Sequence, residues 1–420
     1  MEFIVLGAGV IGVTTAWYLR AQGHDVRVVE RRSGAALETS FGNAGQISAH
    51  VSEPWANPQT PSMLPRWLLQ SDAPLVWRPR ASVEQWRWLT QFLRECSTER
   101  YSRNLVHLAN IGLYSRTALK ALRKELGLDY DHHEGGILLF HRDPAQFERA
   151  SAAAKRLAAR GFQREVKTRD QCLTIEPALS PIRDHILGGI YSALDETGDA
   201  HQFTKALAEA CARRGVVFEY DTRVERIVAA EDRVTGVEVV RADGRRETLS
   251  TQACVVSLGC CTPAMLKPLG IDGIAIYPVK GYSVTVPIAD ERRAFGIGLH
   301  DVSMKMAFSR LGTRLRGTST AEIADFDLTI DRRRCQALVD HIDWMTPGAG
   351  HSAEATHWAG LRPTTPSNIP YVGRTRVANL FINAGHGTVG WTQSCGSAKA
   401  LAEIVAGRRP EIDFPFVGVE

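Results

Sequence analysis

Apolar and polar positions change period several times along this chain, and each change marks an element. Residues 3–6 form a short continuous apolar run, 7–12 are glycine-rich, an apolar-faced helix is predicted through Leu19, and a second apolar run occupies 26–30. The pattern reads as strand, tight turn, helix and parallel strand. A loop rich in Ser, Gly and Asn follows over 33–48, then a Pro- and Trp-rich stretch over 54–79 with little periodicity. Helices are predicted over 83–93 and 105–126, where Trp86, Leu89 and Phe92, then Leu105, Leu108, Leu119 and Leu122, recur at helical spacing. A strand over 136–140, a helix over 144–160 and a strand over 186–191 begin a second sheet.

At Asp199 the parallel-sheet pattern returns. Asp199 can cap a helix running to Arg214, Gly215 ends it, and 216–220 is a buried strand. A hairpin pairs 234–240 with 247–254, and the apolar run 254–258, ending at Gly259, suits a sheet covered on both faces. Strands over 282–286 and 305–309, a helix over 331–342, and a closing strand-turn-helix over 380–404 complete the chain. These returns predict an α/β protein with one discontinuous domain over 1–50, 196–265 and 355–420, and another over 51–195 and 266–354.

Composition narrows the class without naming an activity. Hydrophobic residues make up 44% and charged residues 23%, and no apolar run is long enough to span a bilayer, which predicts a soluble, cytoplasmic protein. A formal charge of +4, with its basic pairs dispersed, gives nucleic-acid binding no support. The 8 cysteines show no metal-ligand spacing, so reduced thiols and no metal are expected, including at the vicinal pair Cys260 and Cys261.

Three segments carry chemistry. In Gly7-Ala8-Gly9-Val10-Ile11-Gly12, Gly7 permits a tight turn, Gly9 lets backbone approach a pyrophosphate at the helix N-terminus, and Gly12 lets helix and strand pack closely. Glu30, with Arg31 beside it, ends the next strand where a ribose diol would be hydrogen-bonded. This fingerprint predicts a dinucleotide and leaves NAD and FAD both open. Near the other end, Gly385, His386, Gly387, Thr388, Val389 and Gly390 make a second glycine-rich helix entrance, suited to the electron-rich edge of a reduced flavin, or else an ordinary turn. Between them Arg362 lies in Gly360-Leu361-Arg362-Pro363, and its planar guanidinium matches a carboxylate.

Together with 34–40, 43–48, 195–199 and 277–283, these segments resemble the FAD-dependent D-amino acid oxidase superfamily, and within it the bacterial D-amino acid dehydrogenase small subunits, over almost the whole chain. The resemblance implies a two-lobed, glutathione-reductase-like (Rossmann-type) FAD domain with an inserted mixed-sheet α+β substrate domain. It implies noncovalent FAD, with Ser40, Asn43, Ala44, Gly45 and Gln46 along the flavin, Val224 at the adenine end and Gly259 near the phosphates. It further implies that Arg362 binds the substrate carboxylate and that Gly385 to Gly390 hold the isoalloxazine. Tyr277 and Tyr282 are candidates to line the pocket, or else one or both pack as strand aromatics. Arg362, Tyr277 and His386 are the candidate catalytic residues, although the position of His386 between glycines favours flavin contact over base chemistry.

The implied reaction is oxidation of a small amino acid at its α-carbon. Electrons would pass to a quinone or electron-transfer protein, with a peripheral seat on the cytoplasmic face of the inner membrane. One departure stands out: the relatives continue with Asp-Gly after Thr365-Pro366, and this chain has Ser367-Asn368. That keeps a cyclic imino acid, D-proline or cis-4-hydroxy-D-proline, open as substrate. A nicotinamide dehydrogenase and a non-catalytic FAD sensor are the alternatives from other classes.

Overall fold

The computed structural model describes residues 1–50, 53–62, 75–158 and 161–419. Much of the Pro- and Trp-rich stretch, and the end of the helix predicted to reach 160, lie outside these residues. Among the described residues one sheet has six strands in the order Tyr371–Arg374, Leu380–Ala384, Ala253–Val256, Glu2–Leu6, Asp25–Val29 and Val217–Glu219. All neighbours are parallel except the Tyr371–Arg374 edge. Side-chain alternation along Glu2–Leu6 explains its apolar run. Phe3 and Val5 pack on a helical layer with Val13, Leu19, Phe203, Leu207 and Leu401. Ile4 and Leu6 pack on the opposite side with Ile227, Val237 and Val239 of a three-stranded antiparallel sheet.

That small sheet corrects the predicted hairpin. Arg233–Val240 pairs with Arg246–Ser250 on one side and with Arg223–Ala230 on the other. The chain then turns, and Ala253–Val256 enters the six-stranded sheet instead. The reason is burial: all of Ala253–Val256 is inside, as a central strand demands, while charges along Arg223–Ala230 hid that strand from a periodicity search. Asp199 caps Ala200–Arg213 as expected, accepting from the backbone N–H groups of His201 and Gln202. The helix predicted from 105 begins a turn or two earlier, as Thr98–Leu126, because Ser97 caps it through the N–H of Arg100.

The second sheet has nine strands. Eight run in the order Thr356–Thr364, Tyr277–Pro287, Arg314–Ile323, Met306–Leu311, Gly298–Asp301, Ile137–His141, Gly188–Ser192 and Glu165–Thr168, with Leu75–Trp77 paired to Arg314–Ile323. Its outer face packs on helix Arg332–Met345 through Leu338, Ile342 and Met345 against Val284, Phe308 and Leu315. Thr356–Thr364 belongs to this sheet, so the segment expected to rejoin the first lobe at 355 does so one strand later. The inner face of the sheet looks across a cavity at the ends of Glu2–Leu6 and Leu380–Ala384.

Candidate active site

The cavity between the two sheets has a volume of about 1540 Å³, above the roughly 300–1,000 Å³ that one small ligand occupies. One end is built by the N-terminal turn. Gly7 leaves its strand at φ +98°, and a Cβ there would stand 2.8 Å from the Ser257 carbonyl oxygen. A Cβ on Gly12 would stand 1.9 Å from the Gly7 carbonyl oxygen, so helix Val10–Ala21 can sit this close only with glycine. A Cβ on Gly9 would meet only Ser40 Oγ, at 3.6 Å, which leaves its approach from the cavity open.

The helix entrance has no capping side chain of its own, and Ser40 Oγ accepts from the Val10 N–H at 3.1 Å. Glu30 accepts from the Ala8 N–H at 2.8 Å and the Arg32 N–H at 2.9 Å, and burial raises its carboxyl above the usual range. Ala8 and Gly12 thus shape the turn from behind, without lining the cavity. Arg31 reaches the rim and pairs with Glu38 at 2.6 Å. Ser257 Oγ, beside Gly7 in the cavity wall, is buried without a hydrogen-bond partner among the described residues. An open glycine cradle, a helix N-terminus and an unpartnered buried hydroxyl fit the pyrophosphate of a dinucleotide.

Further along, Val224 and Gly259 line the cavity, Gly259 in a left-handed turn at φ +54°. The loop of Asn43, Ala44, Gly45 and Gln46 also lines it, and is fastened to the second sheet. Ser309 Oγ donates to the Ala44 carbonyl at 2.7 Å, and Arg316 Nη1 donates to the Asn43 carbonyl at 3.0 Å. Asn43 Oδ1 accepts from the Gly45 N–H at 2.8 Å, closing a turn in which Gly45 takes φ +68°. The Gln46 side chain turns toward the sheet, donating to the Phe308 carbonyl and contacting His300. Neither Ser309 nor Arg316 was anticipated, because their partners lie more than 250 residues away in the chain.

At the far end Arg362 and the second glycine turn meet. An isolated bridge joins Thr364 to His386, and Gly385, His386, Gly387, Thr388 and Gly390 all line the cavity beside Arg362. The guanidinium of Arg362 lies flat over Gly281, where a Cβ would stand 2.2 Å from Cζ, Nη1 and Nη2. Its Nη1 donates to the Thr320 carbonyl at 2.8 Å, and no carboxylate pairs with it among the described residues. Burial pulls its pKa down to about 10. Thr320 takes φ +67°, rare for a β-branched residue, where the pairing register slips between Lys280 and Tyr282. The bulge turns the Thr320 carbonyl onto the arginine, a device no local motif announces.

His386 is buried, and its Nε2 contacts Ser397 Oγ at 3.0 Å. Burial drives its pKa to about 3, so it is neutral and unsuited to take a proton near pH 7. Tyr277 is corrected outright. Its hydroxyl accepts from Gln85 Nε2 at 3.0 Å, its ring lies 5.8 Å from Trp88, and it does not line the cavity. Helix Val83–Glu95 covers that end of the strand, so Tyr277 joins a small apolar core. Tyr282 reaches the cavity wall, but its hydroxyl donates to Glu322 at 2.7 Å. At Ser367-Asn368 the structure explains the departure: Asn368 has φ +64°, a conformation that glycine and asparagine both tolerate, and its side chain accepts from the Trp55 N–H at 2.8 Å.

A dinucleotide cradle and an uncompensated arginine lining one cavity define a two-lobed, dinucleotide-dependent oxidoreductase. Comparison with known proteins makes this specific. The chain is 48% identical over 417 residues, 99% of this chain and 100% of the relative, to the D-amino acid dehydrogenase of Dechloromonas aromatica (strain RCB). It is 43% identical over 413 residues, 98% of this chain and 97% of the relative, to the D-amino acid dehydrogenase of Agrobacterium fabrum (strain C58 / ATCC 33970). Its fold is similar to that of glycine oxidase from Bacillus cereus ATCC 14579, with a TM-score of 0.74 and 22% identity, covering 97% of this chain and 96% of that one. The family model described as FAD dependent oxidoreductase matches residues 2–404, and the chain belongs to that family. The cofactor is therefore FAD, and the nicotinamide alternative falls.

Proposed function

We propose that this enzyme oxidatively deaminates D-amino acids, and that Arg362 holds the substrate carboxylate. The observation that carries this reading is a guanidinium with no protein acid to neutralise it, in the wall of the same cavity as a dinucleotide cradle. A half-buried cation left so is stabilised by an anionic ligand, and the relatives' names supply the D-amino acid. FAD, when bound, supplies the hydride acceptor. Arg362 orients the carboxylate, and its seat on Gly281 and the Thr320 carbonyl leaves it little freedom. Neutral His386 leaves proton removal from the ammonium to solvent, so the reacting form is the neutral amine. Loss of the α-hydride yields an imino acid, which water hydrolyses to a 2-oxo acid and ammonia.

We assign the electrons to a quinone or an electron-transfer protein, with peripheral attachment to the inner membrane. No helix among the described residues is long and apolar enough to cross a bilayer. Anaerobic mixing of the yellow enzyme with D- and L-isomers and with a D-amino acid amide tests the assignment. Bleaching by the D-acid alone supports it, and equal bleaching by acid and amide refutes the carboxylate anchor. Peroxide release in air as fast as reduction of a quinone analogue would refute the acceptor.

A further inference from the structure

The inner face of the nine-stranded sheet carries a row of residues paired in register across its strands. Ile190 faces Leu139, Leu139 faces His300, His300 faces Ala307, Ala307 faces Thr318, Thr318 faces Ser283, and Ser283 faces Trp358. Residues paired in register share a face, and all of these except Ser283 line the cavity. On one side of this row lies the row of Ser309 and Arg316, which carries the flavin loop. On the other side lie Gly281 and Thr320, which carry Arg362. A substrate anchored at Arg362 and facing the flavin therefore has this row as its floor.

Near Arg362 the floor is small, Thr318 then Ala307, and it reaches His300 two strand spacings or about 10 Å away, with Leu139 and Ile190 beyond. The hydrogen bonds of Gln46 define how His300 presents itself. Gln46 Nε2 donates to the Phe308 carbonyl at 3.0 Å and the Leu299 carbonyl at 3.4 Å, so its Oε1 must accept, and the partner is His300 Nε2. His300 thus carries its proton on Nε2, and Nδ1 is left as an acceptor. Lys305, at the turn before Met306–Leu311, lines the same end and adds positive charge.

We propose that Thr318, Ala307 and His300 form the side-chain pocket, and that it selects D-amino acids with uncharged side chains of roughly three to five heavy atoms. The proposal rests on the deamination reading above. Glu53 and Asp301 also line the cavity, but Glu53 is held by Arg164 and the Tyr101 hydroxyl, and Asp301 by Arg142 and His341. An ammonium at the side-chain terminus would therefore meet Lys305 and carboxylates already paired, while an apolar chain or a terminal hydroxyl meets a neutral imidazole. Gln46 acts as a positioning residue, since it sets the His300 tautomer from the flavin loop.

The test has a binding arm and a kinetic arm. In the first, hexanoate and 6-aminohexanoate are titrated against the yellow enzyme, and the shift in flavin absorbance gives each Kd. Hexanoate should bind roughly 30-fold or more tighter, as burial of an unpaired charge implies, and equal affinities would overturn the proposal. In the second, Ala307→Phe should lower kcat/KM for D-methionine relative to D-alanine by about 10-fold or more, by filling the floor. An unchanged ratio, with FAD still bound, would place the pocket elsewhere. If wild type is not bleached by any D-amino acid, the deamination reading fails, and the hexanoate pair still decides the pocket.

Discussion

Gly281→Ala isolates the arginine seat from everything else in the site. The added Cβ would stand 2.2 Å from Cζ, Nη1 and Nη2 of Arg362, against about 3.4 Å for ordinary contact, so the guanidinium must retreat by more than ~1 Å. That takes Nη1 out of its 2.8 Å hydrogen bond to the Thr320 carbonyl. Gly281 sits in an extended strand, where alanine is tolerated, and the three atoms nearest to its added methyl all belong to the Arg362 side chain. The fold and the FAD cradle should therefore survive. A displacement of ~1 Å at a positioning group costs on the order of 100-fold in rate, about 3 kcal/mol. Anaerobic flavin reduction across D-alanine concentration reads this directly, with Gly273→Ala as control because nothing lies within 4 Å of that position. A yellow Gly281→Ala enzyme with kcat/KM within ~3-fold of wild type would show that Arg362 does not hold the substrate.

Further outcomes follow from the same geometry. Arg362→Ala should keep its FAD and lose roughly 2–5 kcal/mol of productive substrate interaction, and Arg362→Lys should recover only part of it, since an ammonium lacks the bidentate fork; wild-type reduction kinetics in Arg362→Ala would refute the anchor. Gly12→Ala places a Cβ 1.9 Å from the Gly7 carbonyl oxygen and should yield apoprotein or insoluble chain, whereas stoichiometric FAD in a soluble variant would contradict the cradle. Burial lowers the pKa values of His50, His141 and His300 to about 4 and of His386 to about 3, all from an ordinary 6.5. Each binds its proton mainly when unfolded, so its contribution to stability is present above pH 6.5 and is lost as pH falls toward 4. Asp195, raised by burial from 3.8 to about 7, works the other way, and its contribution is lost as pH rises toward 7. Between pH 4 and 6.5 the four imidazoles outnumber the one carboxyl, so together these five groups make stability rise with pH. Thermal unfolding followed by flavin release between pH 4.5 and 6 should show this rise, and a flat profile would mean that these imidazoles are not buried neutral.

Legibility in the sequence tracked how local each constraint is. Gly7 and Gly12 could be assigned because the close approach of turn, helix and strand is decided within six residues of chain, and only glycine meets it. Asp199 was readable for the same reason, as a cap needs only its own next turn. The strand Arg223–Ala230 was missed because edge charges break its alternation, and the hairpin was extended too far because Ser250 and Ala253 read as one strand without their separate partners.

The substrate side depends on register between distant strands, and no local pattern carries register. Tyr277 and Gly281 lie on the same strand and share a face by parity, yet helix Val83–Glu95 covers the first, and the Arg362 side chain rests on the second. Thr320 is an ordinary residue in sequence, and its left-handed φ exists only because a bulge forms where Arg314–Ile323 pairs with Tyr277–Pro287. His300 faces the cavity through a parallel pairing with Leu139, more than 150 residues earlier. The cradle binds what the whole family shares, so its residues are set by backbone geometry that glycine advertises. The residues that would discriminate among amino acids are brought together by the large sheet, whose register sets which of them face the cavity.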